Sequence, residues 1–407
     1  MAKRTAALPF EVQAAPGRPL GMAPRSFLRD YWHKRPLLIR GAFPDYVSPI
    51  EPEDLAGLAC ENGVLARLIQ HDRASDGWAV SSGPFPEEMF PGLGDRDWTL
   101  LVQDMDKWDP DIAGLLSAFA FLPRWRVDDI MVSFAATGGS VGAHVDHYDV
   151  FLLQAQGHRR WQIDASDAMG HGKPPLEFRD DTEIKLLREF TATHDWVLEP
   201  GDMLYLPPEV PHHGVAEDPC LTFSLGMRAP SVAELMGDYV DTLAAEADEA
   251  LRYADPALDA AKDPYEIDAN AMTRVVEALN AVRMADADAL GDWFGRFITI
   301  YRAAAGPGQG DGQPLAVDEL SRALAGGLLL QRYPWTRVAW RRAAKGASLY
   351  VAGQSWAMPV SDARRLAAAA WIDTAAWAAL SAAGRDCVAA LLAEGHYRLE
   401  TPEEDMP

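Results

Sequence analysis

The stretch Gly139-Ser-Val-Gly-Ala-His-Val-Asp-His-Tyr-Asp149 decides how this sequence is interpreted. It contains a His-x-Asp pair, formed by His144 and Asp146. Side chains two residues apart in a β-strand point to the same face of the sheet. On a strand, an imidazole nitrogen and a carboxylate oxygen would therefore lie side by side and could occupy two adjacent positions on one metal ion. The same geometry places His147 on the opposite face from His144.

A third ligand is available further along the chain, in Pro211-His-His-Gly214, which follows Asp202-Met-Leu-Tyr-Leu-Pro-Pro208. Two histidines and one carboxylate leave three positions on a metal open, as in the facial triad of non-haem Fe(II) oxygenases. His212 and His213 point to opposite faces of a strand. Only one of these two histidines can therefore enter the interior with the His-x-Asp pair.

A candidate cosubstrate anchor lies in the alternating segment Arg159-Arg-Trp-Gln-Ile163. Arg159, Trp161 and Ile163 share one face of the predicted strand, and this mostly apolar face is expected to point inward. A buried guanidinium is costly unless it meets a carboxylate, which it can bind through two hydrogen bonds. We therefore predict that Arg159 binds the distal carboxylate of 2-oxoglutarate. An ion pair with a protein Asp or Glu is the alternative.

Short segments with strand composition surround these motifs and are separated by turn signals such as Pro200-Gly201 and Asp218-Pro219. Many short strands with such turns predict a β-sandwich or a β-barrel. This β-rich domain is expected to span residues 1–230. The predicted strands are Met131–Phe134, Asp149–Gln154, Arg159–Ile163, Trp196–Leu198, Met203–Leu206 and Leu221–Met227.

The rest of the chain has a different pattern. Residues 231–305 show helical periodicity, and Ser231 followed by Glu234 predicts a capping box at the start of the first helix. This helical segment is expected to mediate dimerisation or to cover the β-rich domain. Residues 306–314 are Gly-rich and predict a flexible linker. Small helices with short flanking strands in residues 315–407 predict a winged-helix-like module.

Composition restricts the class of protein. Of 407 residues, 37 are Lys or Arg and 60 are Asp or Glu, which gives a formal net charge of −23. This charge opposes binding to the phosphates of nucleic acids and favours a basic partner. The three cysteines are far apart in the sequence and suggest a reducing compartment. No apolar run of membrane-spanning length and no signal-peptide pattern are present, so we expect a cytoplasmic protein.

The sequence resembles the JmjC-type ribosomal oxygenases, which are 2-oxoglutarate-dependent enzymes of the cupin superfamily. The resemblance covers most of the chain, and it is densest in the segments that contain the predicted site. It is weakest in the C-terminal module. The main matching segments are 27–43, 98–103, 125–133, 144–151, 157–161, 199–208, 211–214 and 224–230.

The resemblance implies a mainly β catalytic domain, a double-stranded β-helix or cupin of the JmjC type. A helical dimerisation segment and a C-terminal winged-helix-like α+β module are expected to follow it. The resemblance places the metal ligands, which are also the catalytic residues, at His144, Asp146 and His212. It places the 2-oxoglutarate-binding residue at Arg159. The implied cofactor is Fe(II), with 2-oxoglutarate and O₂ as cosubstrates.

The resemblance also implies a substrate. Bacterial members of the family hydroxylate an arginine of ribosomal protein sixteen of the large subunit, so a basic ribosomal protein is the expected partner of a homodimeric enzyme. Two residues depart from the family pattern: His147 stands where glutamine is expected, and His213 stands where an acidic residue is expected. Both are expected near the mouth of the site. His147 and Tyr148 are predicted to belong to the substrate pocket.

Three alternatives remain open from the sequence. A JmjC-type oxygenase could act on another protein or on a small molecule. A non-oxidative metal-binding cupin would not need Arg159. A winged helix could bind nucleic acid beside an inert barrel, and its support is a basic cluster of five residues. We favour the interpretation that this cluster is a solvated face or contacts acidic surface, so direct nucleic-acid binding is not expected. The cluster comprises Arg332, Arg337, Arg341, Arg342 and Lys345.

Overall fold

The chain forms two units, which divide between Ala229 and Pro230. A computed structural model describes residues 8–15, 17–256, 258, 265, 267–281, 286–300 and 312–402. Positions 306–311 of the predicted linker lie outside the described residues. None of the described helices is both long enough and apolar enough to cross a membrane.

The first unit is built mainly from β-strands, and its helices are short. The strands are β1 (Glu11–Gln13), β2 (Leu37–Arg40), β3 (Ala66–Asp72), β4 (Gly77–Ser82), β5 (Trp98–Val102), β6 (Val127–Ala135), β7 (Val150–Gln156), β8 (Arg159–Ile163), β9 (His194–Leu198), β10 (Met203–Leu206), β11 (His212–Ala216) and β12 (Cys220–Met227). The α-helices are α1 (Pro24–Asp30), α2 (Pro52–Leu58), α3 (Met105–Trp108) and α4 (Pro110–Gly114). Three 3₁₀ helices span Glu87–Gly92, Leu115–Phe119 and Arg124–Arg126.

The strands form two sheets. The larger sheet has the order β1-β2-β10-β7-β12-β6-β5-β3-β4, and the smaller sheet has the order β11-β8-β9. Within the larger sheet, Thr222 of β12 pairs with Ser133 of β6 on one side and with Gln154 of β7 on the other. This is the predicted double-stranded β-helix. It places β6, β8, β11 and β12 around a common interior, where the site is found.

Strand β8 shows why the smaller sheet faces this interior. Its side chains alternate between buried and half-buried along the strand, with Arg159, Trp161 and Ile163 on the buried face. That alternation is the period of two expected for a sheet with one covered face. The prediction that Arg159 points inward is therefore confirmed. In the larger sheet, β7 is buried along almost its whole length, which agrees with the apolar run Val150–Leu153 at its start.

An aromatic cluster joins α1 to the neighbouring strands β7 and β10 of the larger sheet. The ring centroids of Phe27, Phe151 and Tyr205 lie 4.9–5.7 Å apart, and all three side chains are fully buried. The Tyr205 hydroxyl donates a 2.6 Å hydrogen bond to Asp149 Oδ1, and His33 Nε2 lies 3.1 Å from Asp149 Oδ2. Burial raises the pKa of the Asp149 carboxyl. The network fixes the chain just before β7, a few residues beyond Asp146 of the His-x-Asp pair.

The His-x-Asp pair does not lie on a regular strand, so that prediction is wrong. It lies in the loop between β6 and β7, where His144 forms only an isolated bridge with His212. Gly138 and Gly142 each have a φ of 79°, which L-residues with side chains rarely adopt. These two glycines interrupt the extended backbone before the pair, and the loop itself brings the two side chains to one side.

The second unit contains the three predicted helices of the middle segment and a smaller α+β module. Its helices are α5 (Val232–Glu246), α6 (Ala269–Asn280), α7 (Ala287–Thr299), α8 (Val317–Ala325), α9 (Val360–Ala368), α10 (Thr374–Ala378) and α11 (Ala382–Ala393). Its strands are β13 (Leu329–Arg332), β14 (Val338–Arg342), β15 (Ala347–Val351), β16 (Gln354–Met358), β17 (Trp371–Ile372) and β18 (Tyr397–Glu400).

Two three-stranded antiparallel sheets organise the described part of the second unit, in the orders β17-β13-β18 and β14-β15-β16. Helices α7 and α9 pack against β14 and β15. The predicted capping box at the start of α5 is confirmed, because Ser231 Oγ accepts from the Glu234 amide and the Glu234 carboxylate accepts from the Ser231 amide. Helices followed by a three-stranded sheet confirm the predicted winged-helix-like character.

Candidate active site

The structure brings His144, Asp146 and His212 together in the interior of the first unit. One possible ligand atom from each residue lies within 4.8 Å of the other two. His212 Nε2 is 3.6 Å from Asp146 Oδ2, and the centroids of the two imidazole rings are 4.2 Å apart. No other group of three His, Cys, Asp or Glu side chains in the described part of the chain is arranged to hold a metal ion.

Backbone hydrogen bonds hold the three residues in register. The His144 amide donates to the His212 carbonyl, and the His212 amide donates to the His144 carbonyl, both at 3.0 Å. The Asp146 carbonyl accepts a 2.7 Å hydrogen bond from the Glu209 amide. The loop that carries two residues of the cluster is thereby tied to β11, which carries the third, and to the turn before it.

The hydrogen bonds of the two imidazoles prepare them to bind a metal. His144 Nδ1 lies 3.0 Å from the Gly142 carbonyl oxygen, and His212 Nδ1 lies 2.9 Å from that of Val210. A carbonyl oxygen only accepts, so each Nδ1 carries a proton, and in the neutral ring the lone pair is then on Nε2. Burial, with His144 alongside, lowers the pKa of His212 to about 4, so this ring is neutral at neutral pH. The donor set fits a divalent ion of the iron type.

Arg159 is buried in the same interior, and the described residues offer it no carboxylate partner. Only 2% of the residue is exposed, and none of the carboxylates in the described part of the chain forms a salt bridge with it. Its Nη1 donates to Ser133 Oγ at 3.2 Å and to Thr222 Oγ1 at 3.4 Å, whereas its buried Nε has no hydrogen-bond partner among the residues that the structure describes. Burial lowers the pKa of the guanidinium. The predicted alternative, a protein ion pair, is therefore not formed.

A glycine on β11 makes room for this arginine. Gly214 pairs with Trp161 across the small sheet. A Cβ atom at Gly214 would lie 2.7 Å from the Trp161 ring and 2.9 Å from Arg159 Nε. The guanidinium carbon of Arg159 lies 5.0 Å from the Trp161 ring centroid, a distance at which a cation–π contact is favourable. The arginine is thus held in place by a ring and two hydroxyls, which leaves its charge available to a ligand.

The three clustered residues and Arg159 line one cavity of about 340 Å³. Its walls come from both sheets and from the segment between β8 and β9. The cavity is large enough for a small dicarboxylic acid together with one substrate side chain. Its further lining residues include Arg67, Gln103, Asp129, Met131, Tyr148, Trp161, Ile184, Lys185, Leu186 and Ser224.

Asp129 is a candidate functional residue that sequence reasoning missed. It lies on β6, and apart from Asp146 it is the one carboxylate among the residues that line the described cavity. A Cβ atom at Gly226 would be 3.3 Å from Asp129 Oδ1 and 3.8 Å from Tyr148 Cε2, so both side chains reach the same bare stretch of β12. Burial raises the pKa of the Asp129 carboxyl to about 7, although Lys107 opposes this shift.

Of the three residues predicted near the mouth of the site, the structure places one in the cavity and two outside it. Tyr148 lines the cavity and is 41% exposed, as expected for a residue at its mouth. His147 is exposed and is not among the residues that line the cavity. His213 points away from the cluster and lines a second cavity of about 250 Å³, together with His71 and Trp78. Neither His147 nor His213 belongs to the group that can hold a metal.

Two members of the basic cluster in the second unit have partners within that unit. Arg332 Nη1 donates to the carbonyls of Leu366 and Ala367, at 2.9 and 3.2 Å. Arg341 Nη1 donates to Asp288 Oδ1 at 2.8 Å. These contacts agree with our preference for a solvated, internally paired face over a nucleic-acid-binding surface.

Comparisons with known families agree with the fold. The family described as the JmjC domain matches residues 114–235, which include the three clustered residues and Arg159. The family described as the ROXA-like winged helix matches residues 281–398. The fold and the site define a JmjC-type member of the cupin class that carries a C-terminal winged helix.

The chain belongs to the ribosomal oxygenase family. It is 36% identical over 314 residues to the ribosomal protein uL16 3-hydroxylase of Escherichia coli strain K12, a match that covers 77% of this chain and 80% of that protein. It is also 44% identical over 223 residues to a probable ribosomal oxygenase of Haemophilus influenzae, where the match spans about half of each chain, 54% of this one and 52% of the other.

Solved structures support the same assignment. The X-ray structure of Escherichia coli YcfD aligns with a TM-score of 0.82 at 31% identity and covers 93% of this chain and 98% of that chain. A structure of the same ribosomal oxygenase in complex with cobalt and 2-oxoglutarate aligns with a TM-score of 0.79 at 32% identity, with the same coverage.

Proposed function

We propose that this protein is an Fe(II)- and 2-oxoglutarate-dependent oxygenase that hydroxylates an arginine of ribosomal protein uL16, protein sixteen of the large subunit, in the cytoplasm. The similar protein of Escherichia coli is a ribosomal protein uL16 3-hydroxylase. The similar solved structure holds cobalt and 2-oxoglutarate. The net charge of −23 suits a basic polypeptide substrate.

One observation in this chain carries the proposal. A buried guanidinium that pairs with no carboxylate of the described residues lines the same cavity as two histidines and one aspartate that can hold a metal. Burying an unpaired cation is costly, so the fold retains Arg159 at the expense of stability. An anionic ligand that reaches both the metal and Arg159 explains the arrangement. A non-oxidative cupin has no use for this cation, and that alternative is disfavoured.

Each residue then has a defined task. His144, Asp146 and His212 would hold the iron, and Arg159 would bind the distal carboxylate of 2-oxoglutarate. O₂, activated at the iron with electrons from 2-oxoglutarate, would supply the oxidising power for attack on an unactivated C–H bond, which no protein side chain possesses. The hydroxyls of Ser133 and Thr222 fix the guanidinium of Arg159 before the cosubstrate arrives, and this preorganisation lowers the cost of binding.

The reaction with a synthetic peptide tests the proposal. The purified protein is incubated with Fe(II), 2-oxoglutarate, air and a peptide of uL16 that contains the target arginine. We expect a mass gain of one oxygen atom on the peptide. Succinate without peptide oxidation would reject this substrate. Neither product, from folded and iron-loaded protein, would reject the oxygenase.

We further propose that Asp129 binds the guanidinium of the substrate arginine and that Tyr148 packs against it at the mouth of the cavity. The target side chain is cationic, and a partly desolvated carboxylate is its natural partner. Asp146 is a proposed metal ligand. Among the residues lining the cavity, Asp129 is therefore the carboxylate that remains for this contact. The predicted role of His147 receives no support from the cavity.

Replacing Asp129 by asparagine is expected to raise the KM for the peptide by roughly tenfold or more, because a charged hydrogen bond is lost. The KM for 2-oxoglutarate should stay unchanged. In the unmodified enzyme, the peptide KM should fall as the pH rises through about 7, since the carboxylate that binds the cation forms above its pKa. The asparagine variant should lack this dependence. Asp128→Asn, at the exposed neighbouring position, is the control, and an equal effect there would contradict the assignment.

We also propose that the helical segment forms a homodimer. The apolar side chains Val232, Met236 and Val240 recur every four residues along α5 and are 76%, 54% and 51% exposed. Helix α6 likewise exposes Met272, Val276 and Leu279. Large apolar side chains that repeat on one face of a helix are typical of a protein–protein contact. A second copy of the same face is the partner that the family resemblance implies.

Replacing Val240 by glutamate is expected to convert the dimer into a monomer, because the new charge would be buried in the contact without a partner. Light scattering coupled to size-exclusion chromatography gives the mass in solution. Ala245→Glu, on a different face of α5, introduces the same charge and should leave the dimer intact. A monomeric unmodified protein, or a dimer that survives Val240→Glu, would contradict this part of the proposal.

A further inference from the structure

One wall of the active-site cavity comes from a segment that belongs to neither sheet. Residues 177–188, here called the strap, lie between β8 and β9 and fold back on themselves. Phe178 and Leu187 form an antiparallel bridge. The Arg179 amide donates to the Leu186 carbonyl at 2.8 Å, and the Arg188 amide donates to the Glu177 carbonyl at 2.7 Å. The strap is thus a small hairpin-like loop.

The tip of the strap reaches the cavity and touches the loop of the metal-binding cluster. Ile184, Lys185 and Leu186 line the cavity. The Leu187 amide donates a 2.8 Å hydrogen bond to the carbonyl of Ala143, the residue before His144. Leu186 packs so closely on Gly142 that a Cβ atom there would lie 2.5 Å from Leu186 Cδ2.

An arginine also ties the strap to the turn between β3 and β4. Arg179 Nη1 lies 2.6 Å from Asp76 Oδ2, and Arg179 Nη2 donates to the Asp76 carbonyl at 3.2 Å. Asp76 belongs to the turn between β3 and β4. The same guanidinium binds Asp181 within the strap through two hydrogen bonds of 2.9 and 2.7 Å. A bidentate contact of this kind fixes orientation as well as distance.

In the described part of the chain, the strap does not take part in the hydrogen bonds that hold Arg159, the proposed cosubstrate anchor. Arg159 is held by Ser133 of β6 and Thr222 of β12, and none of its hydrogen bonds among the described residues goes to the strap. Ile184 to Leu186 of the strap line the same cavity as Asp129 and Tyr148, the residues proposed above to contact the substrate arginine. A change in the strap should therefore affect the polypeptide and spare 2-oxoglutarate.

We propose that the strap selects the polypeptide substrate and that Arg179 is the positioning residue that holds the strap in its binding-competent place. The inference rests on the proposed function, because it assigns a specificity element to that same site. When a binding-competent conformation is only partly populated, the apparent affinity falls by the populated fraction. Loss of the Arg179 contacts should lower this fraction.

Replacing Arg179 by alanine tests the inference. Each exposed ion pair of this type changes an equilibrium by up to about fivefold, so we expect the KM for the uL16 peptide to rise by roughly fivefold to twentyfold. The KM for 2-oxoglutarate, and kcat at saturating peptide, should stay within about twofold of the unmodified enzyme. Arg179→Lys retains the charge and should recover part of the peptide affinity.

Limited proteolysis gives a readout that does not depend on catalysis. In the metal-free protein without peptide, trypsin should cut after Lys185 or Arg188 faster in Arg179→Ala than in the unmodified protein. Arg160→Ala is the matched control, because Arg160 also bridges two exposed carboxylates, those of Asp195 and Glu217, on the outer face of β8. It should change neither the peptide KM nor the cleavage in the strap.

The possible failures can be told apart. An unchanged peptide KM in Arg179→Ala, with an active unmodified enzyme, would overturn the strap proposal alone. An equal rise of the peptide KM in Arg160→Ala would also overturn it, since the effect would then follow from any lost surface pair. No peptide oxidation by the unmodified enzyme would overturn the proposed function, and the strap proposal with it.

Discussion

Replacing His212 by alanine is expected to abolish iron binding and turnover, whereas replacing the adjacent His213 is expected to preserve both. His212 Nε2 faces Asp146 Oδ2 at 3.6 Å, and the His212 ring is fixed by the Val210 carbonyl. Loss of a group that merely orients a metal ligand already costs about 10- to 100-fold in metal affinity or activity. Loss of the ligand itself should cost at least about 100-fold.

The two variants form a matched pair because they change neighbouring histidines on opposite faces of β11. Bound iron is measured by elemental analysis after gel filtration, and turnover is measured as succinate formed. His144→Ala and Asp146→Ala should behave like His212→Ala. An iron-free His213→Ala protein, together with an iron-loaded His212→Ala protein, would show that the cluster has been assigned to the wrong histidine.

Replacing Arg159 by methionine is expected to weaken 2-oxoglutarate binding strongly without destabilising the fold. Removing one partner of a buried charge pair costs about 2 kcal/mol or more, which corresponds to a rise of roughly 30-fold or more in the KM for 2-oxoglutarate. Within the described part of the unliganded protein, however, Arg159 is a buried cation without a carboxylate partner. Replacing such a group by an apolar side chain of similar size is often neutral or stabilising.

The free energy of unfolding, measured by urea denaturation without 2-oxoglutarate, should therefore stay unchanged or rise in Arg159→Met. Binding of 2-oxoglutarate is thus weakened while the stability of the fold is kept. Loss of a purely structural arginine would not produce this combination. Arg159→Lys is the conservative comparison. It keeps the charge but loses the planar set of guanidinium donors, so its KM for 2-oxoglutarate should lie between those of the unmodified enzyme and Arg159→Met. A destabilised Arg159→Met protein with an unchanged KM for 2-oxoglutarate would contradict the anchor assignment.

The features of the fold that follow from local sequence were predicted correctly. Strand β8 alternates in the sequence as it does in the structure, so the inward direction of Arg159 follows from a period of two. The start of α5 follows from the short-range pair Ser231 and Glu234. These features depend on residues that are close in the chain, and for this reason a single sequence reveals them.

Other parts depend on long-range contacts that a single sequence does not reveal. Asp129 reaches the cavity because β6 pairs with β12 and because Gly226 leaves space beside it. The loop of His144 was predicted as a strand, but the left-handed backbone at Gly142 and the bridge to β11 override the local pattern. The strap has no strong periodicity, and its place depends on the contact of Arg179 with Asp76, far earlier in the chain.

The most direct test of the proposed hydroxylation determines whether the oxygen atom added to the peptide comes from O₂. The unmodified enzyme is supplied with Fe(II), 2-oxoglutarate, the uL16 peptide and O₂ enriched in the heavy isotope, and the peptide is then fragmented in a mass spectrometer. We expect one heavy oxygen atom on the side chain of the target arginine, with one succinate formed for each modified peptide. An unmodified peptide, or a peptide whose added oxygen comes from water, would contradict the proposed hydroxylation.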